Sequence, residues 1–259
     1  MTARLTVFAL TPLAAVLLSA CTSADNSRPP AGDAPTGTVT VFAAASLTEV
    51  FAKIGDDFEA AYPGTTVVFN FGASSTLAQQ VGGGAPADVF AAAGPDPMRR
   101  LVDAGAVAGE PEVFARNSLV IAVPEGNPKR LSGLADLARP GLTVALCAPQ
   151  VPCGAAAAKA LAAGGVSLTP ATLEQDVKAT LTKVRLGEVD AALVYRTDVA
   201  ADDGEVDAVE FPESTHALND YPIAALTEAP NPAGARAFVA FVRSAEAGRA
   251  LAAAGFQTP

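Results

Sequence analysis

From Thr38 onward the sequence alternates apolar runs of strand length with longer segments whose apolar residues recur every three or four positions, and no other feature limits the fold as much. TVTVFAAA (38–45) has the composition of a buried strand. SLTEVFAKIGDDFEAAYP (46–63) then places Leu47, Val50, Phe51, Ile54, Phe58 and Ala61 on one helical face. Ser46 stands at the expected N-cap of that helix with Glu49 three residues on, the spacing of a capping box. TTVVFNF, ADVFAAA, NSLVIAVP, LTVALCA and AALVYR continue as strands, with SSTLAQQV, DPMRRLVDAG, LSGLADLA, CGAAAAKALAAG and DVKATLTKVRLG as the helices between and beside them. Such alternation packs as α/β layers, with mostly parallel sheets covered on both faces. Only the tail breaks the rhythm: PAGARAFVAFVRS and AEAGRALAAAGF are two helices without an intervening strand, suited to packing back on an earlier unit. No repeat of 20–50 residues is present, which excludes solenoids. The length of 259 residues suits two α/β lobes, the first from 38–117 and 222–259, the second from 118–221. The chain would cross near Arg116–Ser118 and again near Asp220–Pro222.

The N-terminus fixes the compartment. Arg4 precedes an apolar stretch, Leu5–Ala20, that is too short and too interrupted by Pro12 to span a bilayer but fits the apolar region of a secretory signal. It closes on Leu18-Ser19-Ala20-Cys21, which resembles the lipobox of bacterial lipoproteins, where cleavage leaves the cysteine as a lipid-bearing N-terminus. The expectation is a signal peptide over 1–20, lipid on Cys21, and a polar, proline-rich tether over 21–37. The mature chain would then be held outside the cytoplasmic membrane.

Charge and composition remove several function classes. With 17 Lys+Arg against 27 Asp+Glu, a formal net charge of -10, and no basic run, the chain lacks the footprint of a nucleic-acid binder. A single histidine, His216, in the polar stretch PESTHALND, removes most imidazole-based metal sites and general-base schemes. Cys147 and Cys153 lie six positions apart in CAPQVPCG. Zinc would want four ligands and a catalytic redox pair would read C-x-x-C at a helix start. With Cys21 lipidated in an oxidising compartment, these two are most simply a disulfide.

Three segments place small polar residues where a strand gives way to a helix: AAASLTE at Ser46, FGASSTLA at Ser74 and VPCGAA at Cys153. In α/β sheets ligands bind at the carboxyl ends of strands, where helix N-termini present unpaired N–H groups and the positive dipole end. A serine at one helix start is usually only a cap, so the residues alone leave an anion site and ordinary capping both open. Catalytic alternatives have less support. GASST is not a G-x-S-x-G elbow, GGGAP lacks the Lys-Ser/Thr of a phosphate loop, and Asp202-Asp203-Gly204-Glu205 lacks the twelve-residue calcium pattern and reads as a solvated turn.

Eight segments together resemble the molybdate-binding proteins (ModA type) of ABC transporters: VFAAASLTEVF, FGASSTLAQQV, GAPADVFAAA, RNSLVIAVP, VPCG, DVKATLTKV, LVYRTDV and FPE…YPIAAL, in that family's order over 38–257. The cysteine-bearing loop and the lipobox look most like actinobacterial lipoprotein members. The resemblance implies a type II periplasmic-binding fold: two α/β lobes, a two-strand hinge and an oxyanion between them. It implies a monomeric receptor for molybdate and tungstate that serves an ABC permease, with no catalysis and no cofactor. Sulfate or another tetrahedral oxyanion is the alternative cargo; an extracellular serine-type enzyme or a structural envelope lipoprotein is further off. Transferred position by position, the oxyanion site is Ser46, Ser74 (with Ser75 as the one-residue alternative), Cys153 where the family usually has alanine, Val177 and Tyr195. Three hydroxyls and the N–H groups of Ser46, Ser74, Cys153 and Val177 could then donate to a dianion. Backbone donation tolerates cysteine at 153, since any residue but proline supplies an N–H.

Overall fold

The computed structural model describes Thr2 and residues 34–259. The signal peptide, Cys21 and all but the end of the tether lie outside the described residues. Among the described residues, ten strands form two five-stranded sheets. The first contains β1 (Gly37–Ala44), β2 (Thr65–Gly72), β3 (Val89–Ala91), β4 (Glu112–Asn117) and β10 (Asn219–Ala225), in the order β2-β1-β3-β10-β4. The second contains β5 (Leu119–Pro124), β6 (Val144–Cys147), β7 (Thr172–Glu174), β8 (Ala191–Tyr195) and β9 (Val206–Val209), in the order β7-β6-β8-β5-β9. The helices are α1 (Thr48–Ala61), α2 (Ser74–Gly82), α3 (Pro95–Asp103), α4 (Pro152–Ala163), α5 (Val177–Arg185), α6 (Arg196–Ala200), α7 (Pro232–Val242) and α8 (Ala245–Ala253).

Both sheets have the same plan. Three strands run parallel through helical crossovers (β2, β1 and β3; β7, β6 and β8), and a strand from the far side of a lobe crossing pairs antiparallel beside them. The sheets are therefore mixed rather than mostly parallel: β10 is antiparallel to β3 and β4, and β5 to β8 and β9. A strand that arrives directly from the other lobe has no crossover helix to reverse it, so it enters against its neighbours. The chain leaves the first sheet at Asn117 and starts the second at Leu119; it returns just before Asn219, a few residues ahead of the boundary expected at 222. Leu134–Ala138, expected as a helix, is a short 3-10 turn.

Strand β1 shows how the pattern positions the layers. Val39, Val41 and Ala43 face one side and join Phe51, Ile54, Phe58, Phe238 and Phe241 of α1 and α7; Phe42 faces the other and packs with Leu77, Met98 and Leu101 of α2 and α3. A strand covered on both faces has no polar alternation, and the second half of β1, Val41–Ala44, accordingly reads as an unbroken apolar run, while Thr38 and Thr40 mark its less covered start. In the first lobe Phe58 meets Phe238 and Phe241 edge to face at 5.3 and 5.5 Å, a preferred aromatic geometry. The second-lobe core is built almost entirely from Ala, Val and Leu.

Candidate functional site

The strand-to-helix junctions of the two lobes face each other across a small cavity, about 20 Å³ as space open to the centre of a water-sized sphere. That is room for a very small guest, close to the minimum that holds a water. Ser46, Ser74, Cys153, Val177 and Tyr195 all line it. Ser75 does not: it lines an adjoining cavity of about 140 Å³.

Each of the five is placed by a different local device. Ser46 lies in a 3-10 turn, Ala45–Leu47, inserted between β1 and α1. This turn overrides the expected capping box, because Leu47 rather than Ser46 precedes α1 and no side chain caps it. Ser46 is buried instead, and its Oγ shares a 2.8 Å hydrogen bond with Tyr221 Oη. Ser74 is the first residue of α2, behind Ala73, and its Oγ accepts the Ala93 N–H at 3.0 Å. Cys153 is the second residue of α4, after Pro152, and its sulfur is bonded to Cys147 at the end of β6. The disulfide ties that side chain to the end of β6 and closes the loop tightly. A Cβ at the next residue, Gly154, would stand 2.0 Å from the Ala148 carbonyl oxygen, so glycine is required by space rather than by backbone angle. Val177 opens α5, whose N-cap is Asp176. Tyr195 ends β8, and its Oη accepts from Asn219 Nδ2 at 2.8 Å.

The site's electrostatics come from dipoles. No Lys or Arg is in the lining. Ser74, Cys153 and Val177 occupy first-turn positions, whose N–H groups have no partner within their own helix, and among the described residues no other backbone carbonyl takes them. Three positive helix ends thus share one cavity. The single charged lining residue, Asp176, has its carboxylate turned onto the Ala179 N–H at 2.9 Å, as a helix cap. Burial pushes the Tyr195 hydroxyl well above the ordinary phenol range, so it keeps its proton and remains a donor. Just outside the lining, Lys178 of the second lobe reaches Glu49 of the first at 2.8 Å and buried Asp198 at 3.3 Å. Glu49, expected to cap α1, therefore bridges the lobes instead.

The sequence did not point to Asn117, Asn219 or Tyr221, which stand behind the lining. Tyr221 reads as one more core aromatic in YPIAAL, and Asn219 as a loop residue; both are buried and bonded to site hydroxyls. Elsewhere, the acidic turn at 202–205 is less solvated than expected, since Asp202 is buried against Arg185 and accepts the Glu205 and Val206 N–H groups.

Paired sheets, two crossings between lobes and a donor-lined cavity between strand ends define a bilobal solute-binding protein. The sequence matches the family described as bacterial extracellular solute-binding protein over residues 39–257, and the chain belongs to that family. It is 44% identical over 243 residues to the molybdate-binding protein ModA of Mycobacterium tuberculosis (strain ATCC 25618 / H37Rv), covering 93% of each chain. The fold is similar to the periplasmic molybdate-binding protein of Azotobacter vinelandii (TM-score 0.73, 20% identity, 85% of this chain and 99% of that one). It is as similar to the sulfate-binding protein SubI of Mycobacterium tuberculosis H37Rv (TM-score 0.74, 22% identity, 86% and 87%). At these identities the two structures speak for the fold alone.

Proposed function

We propose that the protein captures molybdate, and with it tungstate, outside the cytoplasmic membrane and delivers it to the permease of an ABC importer. One observation carries this: three helix first turns and three buried hydroxyls, from both lobes, line one small cavity that holds no cationic side chain. The 44% identity to a molybdate-binding protein over nearly the whole chain supports molybdate as the cargo. Ser46, Ser74 and Tyr195 donate through hydroxyls, and Ser46, Ser74, Cys153 and Val177 through N–H groups. Each such bond to a charged oxygen in a dry site contributes about 1.5–3 kcal/mol. A cage made only of donors favours a fully ionised oxyanion and leaves the O–H of hydrogen phosphate without an acceptor. The two lobes close over the ion about the crossings at 117–119 and 218–219, and the permease reads the closed form. The chain acts as a monomer, tethered through lipid on Cys21, and binds without bond chemistry.

Calorimetry on the purified protein with molybdate, tungstate, sulfate and phosphate tests the proposal. Molybdate and tungstate should bind tightly, sulfate far more weakly, and phosphate least. Sulfate binding as tight as molybdate would replace this proposal with a general oxyanion receptor, and silence toward all four would end it. Ser46→Ala should weaken molybdate binding by about 10–100-fold, the worth of one hydrogen bond to a charged group. Its folding stability, read from melting, should fall by less than that in free-energy terms, because the one bond lost behind the lining is that between Ser46 Oγ and Tyr221 Oη.

A further inference from the structure

Behind the lining, every hydroxyl of the site is met by a second group. Ala93 N–H donates to Ser74 Oγ at 3.0 Å. Asn219 Nδ2 donates to Tyr195 Oη at 2.8 Å and, through the same nitrogen, to the Ala93 carbonyl at 2.7 Å. Tyr221 Oη lies 2.8 Å from Ser46 Oγ and is itself met by Asn117 Nδ2 at 3.4 Å. Asn117 ends β4, while Asn219 and Tyr221 lie on β10, so the three stand on the two strands that carry the lobe crossings. Neither Asn219 nor Tyr221 lines the cavity, and both are buried.

The chemistry of a hydroxyl makes this arrangement consequential. It has one proton and two lone pairs, and its rotor settles where its neighbours direct it. An amide N–H on the Tyr195 oxygen occupies a lone pair from behind and leaves the proton free to point into the cavity. An Asn117 N–H on Tyr221 Oη likewise turns the Tyr221 proton onto Ser46 Oγ, and the Ser46 proton must then point forward. Burial holds both phenols protonated, so neither becomes an acceptor by ionising.

We propose that Asn219 and Tyr221 are specificity-determining positioning residues: without touching the ligand, they orient the Tyr195 and Ser46 hydroxyls as donors only and so exclude oxyanions that carry a proton. The inference rests on the oxyanion-receptor function proposed above and names its second layer. Because the same two residues stand beside a lobe crossing, the orientation is set by the hinge strands.

Tyr221→Phe keeps the ring and removes only the hydroxyl that feeds Ser46. Ser46 Oγ is then free to accept, and a hydrogen-phosphate O–H gains a partner. Calorimetry with molybdate and inorganic phosphate on the full chain, wild type beside Tyr221→Phe, reads the ratio of the two affinities. Molybdate should weaken about tenfold while phosphate holds or gains, so that the ratio falls about tenfold or more. Asn219→Leu, which removes the donor behind Tyr195, should shift the ratio in the same direction. Equal weakening toward both anions, or an unchanged ratio, in a variant whose melting stays cooperative would overturn the assignment and leave Tyr221 as packing. Should Tyr221→Phe fail to fold, Asn219→Leu decides by the same ratio. Absence of molybdate binding to the wild type would instead sink the underlying receptor proposal.

Discussion

Asp198 offers the sharpest quantitative test. Its side chain is 0% exposed at the start of α6; among the described residues neither carboxylate oxygen has a well-formed hydrogen bond, and the ion partner is Lys178 Nζ at 3.3 Å. Desolvation outweighs that attraction and pushes its pKa from 3.8 up to about 6. A carboxyl that binds its proton more tightly in the folded state stabilises the fold below its unfolded pKa, and this contribution is lost as pH rises through the folded value. Here the window runs from about pH 4 to about pH 6. At 1.36 kcal/mol per pH unit, ionised Asp198 leaves the fold less stable by about 3 kcal/mol than the protonated acid would, with the Lys178 attraction already included. Asn is a neutral isostere of that acid. Asp198→Asn should therefore be about 3 kcal/mol more stable than wild type at pH 8 and nearly equal to it at pH 4. Urea denaturation of both proteins at pH 4, 6 and 8, followed by far-ultraviolet circular dichroism, gives the difference directly, and other carboxylates cancel in the comparison. A variant less stable than wild type at pH 8, or a difference that does not vary with pH, would refute the argument that burial rather than pairing governs this residue.

Other perturbations probe the lobe contact and the cysteine loop. Glu49→Gln removes the ion pair between the lobes while leaving Lys178 on Asp198; a half-exposed pair is worth about 0.2–1 kcal/mol, so molybdate release in stopped flow should quicken about 1.4–5-fold, an effect that fades toward about 1 M salt. Converting Cys147 and Cys153 together to serine opens a loop whose ends are six positions apart; the chain-entropy argument gives about 2 kcal/mol of lost stability, and molybdate affinity should weaken without vanishing if the bridge also holds the Cys153 N–H in place. Gly154→Ala drives a methyl group into the Ala148 carbonyl, and a loss of about 3 kcal/mol or failure to fold is expected in melting experiments.

How much of this was legible beforehand depends on what kind of force places each part. The buried strands and long helices were, since an apolar run such as TVTVFAAA or an amphipathic face such as that of α1 records its environment locally. The five expected site residues, all in the lining, were legible through motif resemblance; the residues alone pointed only to the junctions at Ser46, Ser74 and Cys153, and left ordinary capping open there. The short edge strand β7 and the strand β4 were not, because three residues without a buried one, or six with charged residues among the buried ones, leave little periodicity. Strand β10 reads as an apolar run whose direction its own residues do not record; antiparallel entry follows from the crossing. The 3-10 turn at Ser46 is a tertiary outcome, in which burial against Tyr221 prevails over a good local capping pattern. Glu49 and Lys178 stand 129 positions apart, Ser46 and Tyr221 175 apart, and no single sequence announces such pairs. Nothing in the segment LVYRTDV marks Asp198 as sealed; only the packing of α5 against α6 reveals it.

The order of strands also sets an order of assembly. Every strand of the second sheet comes from the continuous stretch 119–209, so that half of the molecule can complete itself as soon as its own residues are available. The first sheet cannot, because β10 fills the place between β3 and β4 and is made more than a hundred residues after them. A chain emerging N-terminus first thus carries its earliest lobe unfinished, with the edges of β3 and β4 unpaired, while the later lobe folds ahead of it. Arrival of Asn219–Ala225 closes those edges and brings Tyr221 against Ser46 in the same step, so the support behind the cleft lining is complete only when nearly the whole polypeptide has crossed the membrane.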